Sequence, residues 1–533
     1  MIDSNATPKS PESFRAEAAK HLMQQDFKSA KSLYENLIAN DPTDIESLTG
    51  LGKACAHLEE TELAIKAFKR AITLSPKAFE PLHHLGRLLL AGSYFDKAIS
   101  ILQRAISANQ SVDAVWSDLA IAQKGAGDIA GAIQSLKNAI QLNPRSAIPL
   151  YNLAECCRET GQDKEALRIL NELIISNPRF VEAHILAASI LSDRKDIDGA
   201  ISLLEKCLAS HPGHIDCLQN MALIQLRAGR LAQGFESYLW RLTPSKNSVA
   251  IRPFSHKLWH GQSLETEKLL LWLEQGIGDE ILSVSLLQDI IKLAPNCIVE
   301  CDARLVDLLV RSFPQVRFVS RCDPPAPETA KANYVSPMWS TARILRQNWD
   351  QLPKEGAYLV ADQERVDNLR NRYKAIAGDR KIIGLSWASS AVGGRLKTPP
   401  LETWKPLLDD SNQLIISLQH AAHPQDIAIL NQIGKSEIHI DHSIDATKDF
   451  DQAATQISAL DAVVSISNST AHLSGALGTQ TATLVPKGFG SFWYWHHDVK
   501  QNPWYPTMRL CRQNKPGDWQ SAISDACKWL KYQ

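Results

Sequence analysis

Two short stretches of the chain combine chemically useful side chains with small residues that could present them. The first is Gln275-Gly276-Ile277-Gly278-Asp279-Glu280, shortly after the apolar run Lys268-Leu269-Leu270-Leu271-Trp272-Leu273. Gly276 and Gly278 permit a tight turn and close backbone approach. Asp279 stands just past the apolar run, where a carboxylate could take a proton from a bound hydroxyl. The same acid would also suit the first turn of a helix, where the dipole favours it by about 0.3–1 kcal/mol. The second stretch is Ser467-Asn468-Ser469-Thr470-Ala471-His472, leading into Leu473-Ser474-Gly475-Ala476-Leu477-Gly478. A helix starting at Ser469 and Thr470 would offer N–H groups, hydroxyls and a positive dipole end to a pyrophosphate. Equally, Asn468 or Ser469 would serve as a plain N-cap. His472, on a helix beside an apolar stripe, reads by itself as structural.

Two further groups are candidates. Lys397, in Arg395-Leu396-Lys397-Thr398-Pro399, follows a strand and is either a counter-charge for an anionic leaving group or a solvated lysine, with Arg395 as its substitute. The aromatic run Phe492-Trp493-Tyr494-Trp495 could stack on a sugar or base, or cover a core. His496 and His497, beside it, have no third ligand at metal spacing.

Alternating strands and helices must position these groups. Strands are expected at Lys268–Leu273, Cys297–Cys301 and Val316–Ser320, with helices through Lys292, over 302–312 and over 362–377. A second alternation has strands at Lys381–Ala388, Leu414–Leu418, Ala462–Ile466 and, last, Thr481–Val485. Its helices fall at Leu401–Leu408, 449–459 and from about 470, and a glycine loop begins at Gly393. The pattern predicts two Rossmann-like α/β halves, 265–360 and 379–520, with a ligand cleft at the carboxyl ends of their strands.

The first half of the chain is periodic. Prolines at 42, 76, 144, 178 and 212 are spaced by 34 residues or twice that, with Gln110 in the vacant slot. With repeats starting at residue 11, the eighth position reads Ala18, Gly52, Gly86, Ala120, Ala154, Ala188 and Ala222. The twentieth reads Ala30, Ala64, Ala98, Ala132, Ala166, Ala200 and Gly234. The twenty-fourth holds Tyr34, Phe68, Leu102, Leu136, Leu170, Leu204 and Tyr238. Small residues where helices cross, and large plugs between them, resemble the tetratricopeptide repeat (TPR). Seven repeats over 11–244 imply an all-α solenoid with a groove for a protein or peptide partner. The seventh ends in Tyr238-Leu239-Trp240-Arg241, expected to cap the solenoid and join it to the next domain.

Composition removes other classes. Net charge is −1, from 57 basic and 58 acidic side chains, so nothing favours nucleic acid or an anionic membrane surface. No apolar run approaches the roughly 20 residues of a membrane span, and the polar Met1–Pro8 segment lacks the features of a secretory signal. Ten scattered cysteines fit free thiols in a reducing cytoplasm, where the protein is expected.

The α/β motifs resemble the glycosyltransferase family that contains the ADP-heptose:lipopolysaccharide heptosyltransferases. The resemblance runs through most of 268–520. It rests on Gln275-Gly276-Ile277-Gly278-Asp279, Gly384-Leu385-Ser386-Trp387, the stretch from Asn468 to Gly478, and Pro503-Trp504-Tyr505-Pro506. A TPR array ahead of a two-domain transferase is similar to the architecture of O-linked N-acetylglucosamine transferase. The resemblance implies a GT-B fold, a nucleotide-diphosphate sugar as donor substrate, no resident cofactor and no metal. It gives Asp279 the role of base, Lys397 that of phosphate counter-charge, and Gly276, Gly278, Asn468, Ser469, Thr470 and His472 to the donor loops. Relatives carry an aspartate where this chain has Ser467. The expectation is therefore an inverting glycosyltransferase, and the competing one a non-catalytic TPR adaptor whose transferase-like region has degenerated.

Overall fold

The computed structural model describes residues 10–244, 251–354, 356–389, 394–420, 422–488 and 490–532. The polar segment through Pro8, and Gly393 of the glycine loop, lie outside them. The chain divides into two compact units whose boundary falls inside the helix Val181–Asp193. The first unit comprises 1–158 and 162–183, and the second comprises 159–161 and 184–533.

The first unit is all helix, in pairs of 13 and 14 residues: Pro11–Met23 with Phe27–Asn40, Ile45–His57 with Thr61–Leu74, and so on to Asp163–Ser176. Side chains of Asp26, Asp44 and Asp128 cap helix starts by accepting backbone N–H groups. The second helix of each pair stops two residues before the repeat proline, and Asp41, Ser75, Asn143 and Asn177 are all pushed out of the helical region. Asn109 leaves the helix in the same way (φ −153°, ψ 105°) although Gln110 follows it. The proline therefore reinforces a stop that packing already sets.

Every small residue at the eighth and twentieth positions is buried, and so is every plug at the twenty-fourth. The reason is direct contact within a repeat. A Cβ on Gly52 would lie 2.5 Å from the Phe68 ring, and one on Gly86 would lie 2.5 Å from Leu102. Gly52→Leu should therefore lower the first unit's stability by about 1–2 kcal/mol, because overpacking exceeds the helix propensity gained on losing a glycine. Urea denaturation followed by circular dichroism checks it; an unchanged midpoint would refute the contact argument.

The second unit opens with the closing helices of the repeats. Ile197–Ser210 and Ile215–Arg227 are full length, but Leu231–Ser237 is cut to seven residues and tightens into a 3-10 turn, Tyr238–Leu242. Two sheets come next in the chain, with every pairing parallel. The first has β1 (Lys257–Leu258), β2 (Leu269–Trp272), β3 (Cys297–Cys301), β4 (Arg317–Ser320) and β5 (Tyr334–Pro337), in the order β1-β5-β2-β3-β4. The second has β6 (Lys381–Ser386), β7 (Gln413–Ser417), β8 (Ile438–His439), β9 (Ala462–Ile466), β10 (Thr481–Val485) and β11 (Met508–Arg512), in the order β11-β10-β9-β6-β7-β8. Strands β2, β3, β9 and β10 are buried throughout, as parallel strands covered on both faces must be.

The strand order reverses once in each sheet, beside β2 in the first and between β6 and β9 in the second. Crevices outside the carboxyl ends of strands open at such reversals. Four strands, β1, β5, β8 and β11, are absent from the sequence reading, so Thr481–Val485 is not the last. The helix expected through Lys292 is broken into Ile277–Ser283, a 3-10 turn and Leu287–Leu293. The second sheet's core also runs beyond 520: Trp519, Ala522, Ile523, Ala526 and Leu530 of the helix Trp519–Leu530 pack into it. Among the described residues, no helix is long and apolar enough to cross a membrane.

Candidate functional site

A cavity of about 280 Å³ lies where the carboxyl ends of the two sheets meet. Most of its wall comes from residues just past a strand: Ile277, Gly278 and Asp279 after β2, Ala388 and Ser389 after β6, Gln419 and His420 after β7, and Ser467, Asn468 and Ser469 after β9. Lys397, His472, Phe492 and Tyr494 complete it. An adjoining cavity of about 440 Å³ shares Ile277, Ala388, Ser389, Gln419, His420 and Ser469, and adds Arg304 and Phe450. Six expected site residues (Gly278, Asp279, Lys397, Asn468, Ser469 and His472) are thus brought to one place.

Asp279 sits in the first turn of Ile277–Ser283, where its Oδ2 accepts the backbone N–H of Gly276 at 3.3 Å. The capping and cleft readings of this acid are therefore compatible. Desolvation in the narrow cleft pushes its carboxyl up to about 6, against the pull of the Gly276 N–H, with the nearby Glu274 pushing the same way and Lys397 opposing. Lys397 ends a short 3-10 turn, Gly394–Lys397, and is buried; its Nζ lies 4.8 Å from the centre of the Phe492 ring. Burial lowers its pKa, and the attraction of Asp279 offsets part of that.

His472 is buried at the cavity wall. Its Nδ1 is 2.9 Å from the Tyr505 hydroxyl, and its ring stacks on Trp495 with centres 5.1 Å apart. Burial, with Lys397 adding to it, holds the imidazole down to about 3, so it is neutral at physiological pH. Gly278 has no Cβ for a specific reason: one would meet His472 Cδ2 at 2.8 Å. That glycine lets the two glycine- and small-residue helices touch across the cleft.

Three expectations change. Gly276 is exposed and off the cavity wall, and its φ of −85° needs no glycine; the left-handed residue of the turn is Gln275, at φ 71°. Thr470 is buried with its hydroxyl off the wall. Asn468 satisfies the helix start itself, accepting the N–H groups of Thr470 and Ala471 at 3.1 and 3.4 Å, while its Nδ2 donates to Ser386 at 2.8 Å. Of the helix-start residues read as anion ligands, Ser469 is the one that lines both cavities. Arg395 is exposed and off the wall as well.

Ser467 is buried, and its hydroxyl accepts the Trp495 indole N–H at 2.8 Å. The aromatic run divides its tasks: Trp493 and Trp495 enter the core, whereas Phe492 stays 41 % exposed at the cavity mouth. His496 accepts the Trp504 indole N–H at 3.2 Å and so serves the core. Gln419, which the sequence reading passed over, clamps the strand ends: its Oε1 accepts the N–H groups of Trp387 and Ala388 at 3.0 and 2.8 Å. Its position directly after β7 is the signal that could have found it.

Comparison with known proteins bears chiefly on the repeats. Two tetratricopeptide repeat family models match the chain, over residues 16–79 and 124–190. The chain therefore carries TPR repeats, and such repeats imply protein partners. Protein FlbA of Caulobacter vibrioides is 25 % identical over 526 residues, which cover 95 % of this chain and 82 % of that protein. A Hordeum vulgare protein, SPINDLY, named as a probable UDP-N-acetylglucosamine–peptide N-acetylglucosaminyltransferase, is 27 % identical over 159 residues. That match covers 28 % of this chain and 17 % of SPINDLY. Among solved structures, MamA of Desulfovibrio magneticus aligns over 32 % of this chain and 98 % of its own, at 18 % identity and a TM-score of 0.31.

Proposed function

We propose that the chain is a glycosyltransferase of the GT-B type, which binds a nucleotide-diphosphate sugar at this cavity and moves the sugar to an acceptor recruited by the TPR repeats. One observation carries the reading: the Asp279 carboxylate and the Ser469 helix start share one cavity, at the carboxyl ends of two parallel sheets. The resemblance to heptosyltransferases and the partial match to SPINDLY point the same way.

In this reading Asp279 takes the proton of the acceptor hydroxyl as its oxygen attacks the anomeric carbon. The bond from that carbon to the donor's phosphate oxygen breaks, its electron pair leaves with the nucleoside diphosphate, and the configuration inverts. Charge therefore grows on the diphosphate. In this reading Lys397 and the positive end of the helix Ser469–Ala476 meet it, both at the cavity wall. A neutral His472 can exchange a hydrogen bond with the donor but supplies no charge.

Incubation with a panel of UDP-, GDP-, ADP- and dTDP-linked sugars, read by mass spectrometry for released nucleotide and glycosylated product, tests the proposal. Transfer from none of them would overturn it. Lys397→Met should slow transfer by about 10²-fold. It should also move the acidic limb of kcat/KM upward in pH, because the lysine's charge stabilises the Asp279 carboxylate. A pH–rate profile in which the limb moves down or stays would exclude that role.

A further inference from the structure

We infer that Tyr238 and Arg241, at the end of the seventh repeat, are positioning residues that hold the turn carrying Asp279. The inference rests on the proposed role of Asp279 as the base. None of the four side chains concerned (Tyr238, Arg241, Glu274, Gln275) lines the cavity, so any effect they have on the reaction passes through the turn.

The turn is Glu274-Gln275-Gly276, between β2 and the helix Ile277–Ser283. Its central residue takes a left-handed φ of 71°, a conformation that a side chain other than glycine's adopts only when something holds it there. What holds it comes from the repeat. Gln275 Nε2 donates to the Tyr238 hydroxyl at 2.7 Å. One residue earlier, Glu274 is buried and takes Arg241 with both oxygens, Nε to Oε2 at 3.1 Å and Nη2 to Oε1; Oε1 also accepts the Trp339 backbone N–H at 3.2 Å. The Arg241 guanidinium lies 4.7 Å from the centre of the Tyr238 ring, which also meets the Trp493 ring at 6.1 Å between centres. Tyr238 occupies the plug position of the repeat and is buried, its ring held by Arg241 and Trp493. Gly276, the next residue of the turn, donates its N–H to Asp279. A continuous set of contacts thus runs from the repeat plug to the carboxylate.

The variants Tyr238→Phe and Tyr238→Phe with Gln275→Gly, made in the full chain, separate positioning from plain packing. Phenylalanine keeps the plug and removes only the hydroxyl; glycine accepts the left-handed φ without being held. Amide hydrogen exchange needs no ligand. Tyr238→Phe should speed exchange at residues 276–280 by about tenfold while β2 stays protected, and the double variant should return to near the parent rate. With the donor that the nucleotide-sugar panel yields, Tyr238→Phe should lower kcat by about tenfold at nearly constant KM, and the glycine should restore it. Unchanged exchange in Tyr238→Phe, or a loss of kcat that glycine does not restore, would overturn the inference. Absence of any transfer by the parent, with the exchange pattern as expected, would overturn the transferase reading and leave the grip on the turn standing.

Discussion

Asp279→Asn should cut transfer by about 10²–10⁴-fold and, at neutral pH, make the second unit more stable than the parent. The two effects share a cause. The carboxyl titrates near 6 in the folded chain and near 3.9 unfolded, so between those values the folded state keeps a proton that the unfolded state has lost. Stability therefore falls as pH rises through that window, and above it the folded state carries the full cost of a desolvated charge. Asparagine keeps an oxygen for the Gly276 N–H and carries no charge. It should recover up to about 3 kcal/mol at pH 7–8 and nothing below about pH 4. The parent's kcat/KM should rise with slope one up to about pH 6 and then level, because only the ionised form accepts a proton. A variant both less active and less stable at pH 7.5 would mean that Asp279 serves the fold, and a parent profile flat from pH 4.5 to 7 would remove it as the base.

How much of this was legible in the chain differs between its halves, for a physical reason. The repeats state their packing seven times, so the pairing of Gly52 with Phe68, or Gly86 with Leu102, could be read as a rule about positions. Several inner strands were legible too: Cys297–Cys301, Ala462–Ile466 and Thr481–Val485 are built largely of β-branched and small residues and are buried throughout. Others were not. Met508-Arg509-Leu510-Cys511-Arg512 sits at a sheet edge and mixes charge with apolar residues, while Tyr334–Pro337, between β1 and β2, ends in a proline that sequence rules discourage. At the site, residue types pointed to the right loops but not to the direction of each side chain. Thr470 and Ser469 are adjacent and chemically alike, yet the turn of the helix buries one and exposes the other to the cavity. The strain in the Asp279 loop falls on Gln275 instead of on a glycine, because that strain is sustained by a tyrosine 37 residues away in sequence.

That distant support leads to the other large effect. Arg241→Met should destabilise the second unit by about 3–5 kcal/mol, far more than the loss of any surface ion pair. Arg241 and Glu274 are both buried, and the guanidinium also donates to the Tyr238 carbonyl at 2.9 Å and the Ser340 hydroxyl at 3.2 Å. Removing it strands a buried carboxylate that keeps the Trp339 backbone N–H but has lost its counter-charge. By contrast Arg168, with Glu165 and Glu172, lies on an exposed helix face, and Arg168→Met should leave the unfolding midpoint where it was. The pair's net worth is a different quantity from the cost of breaking it, since desolvation offsets much of the attraction. Arg241→Met combined with Glu274→Leu should therefore recover most of the stability that Arg241→Met alone loses. Denaturant titration of the parent, both single variants and the double variant measures the coupling. If the double variant is as unstable as the sum of the singles, the two side chains act independently and the ion pair is not what ties the end of the repeats to the loop of Asp279.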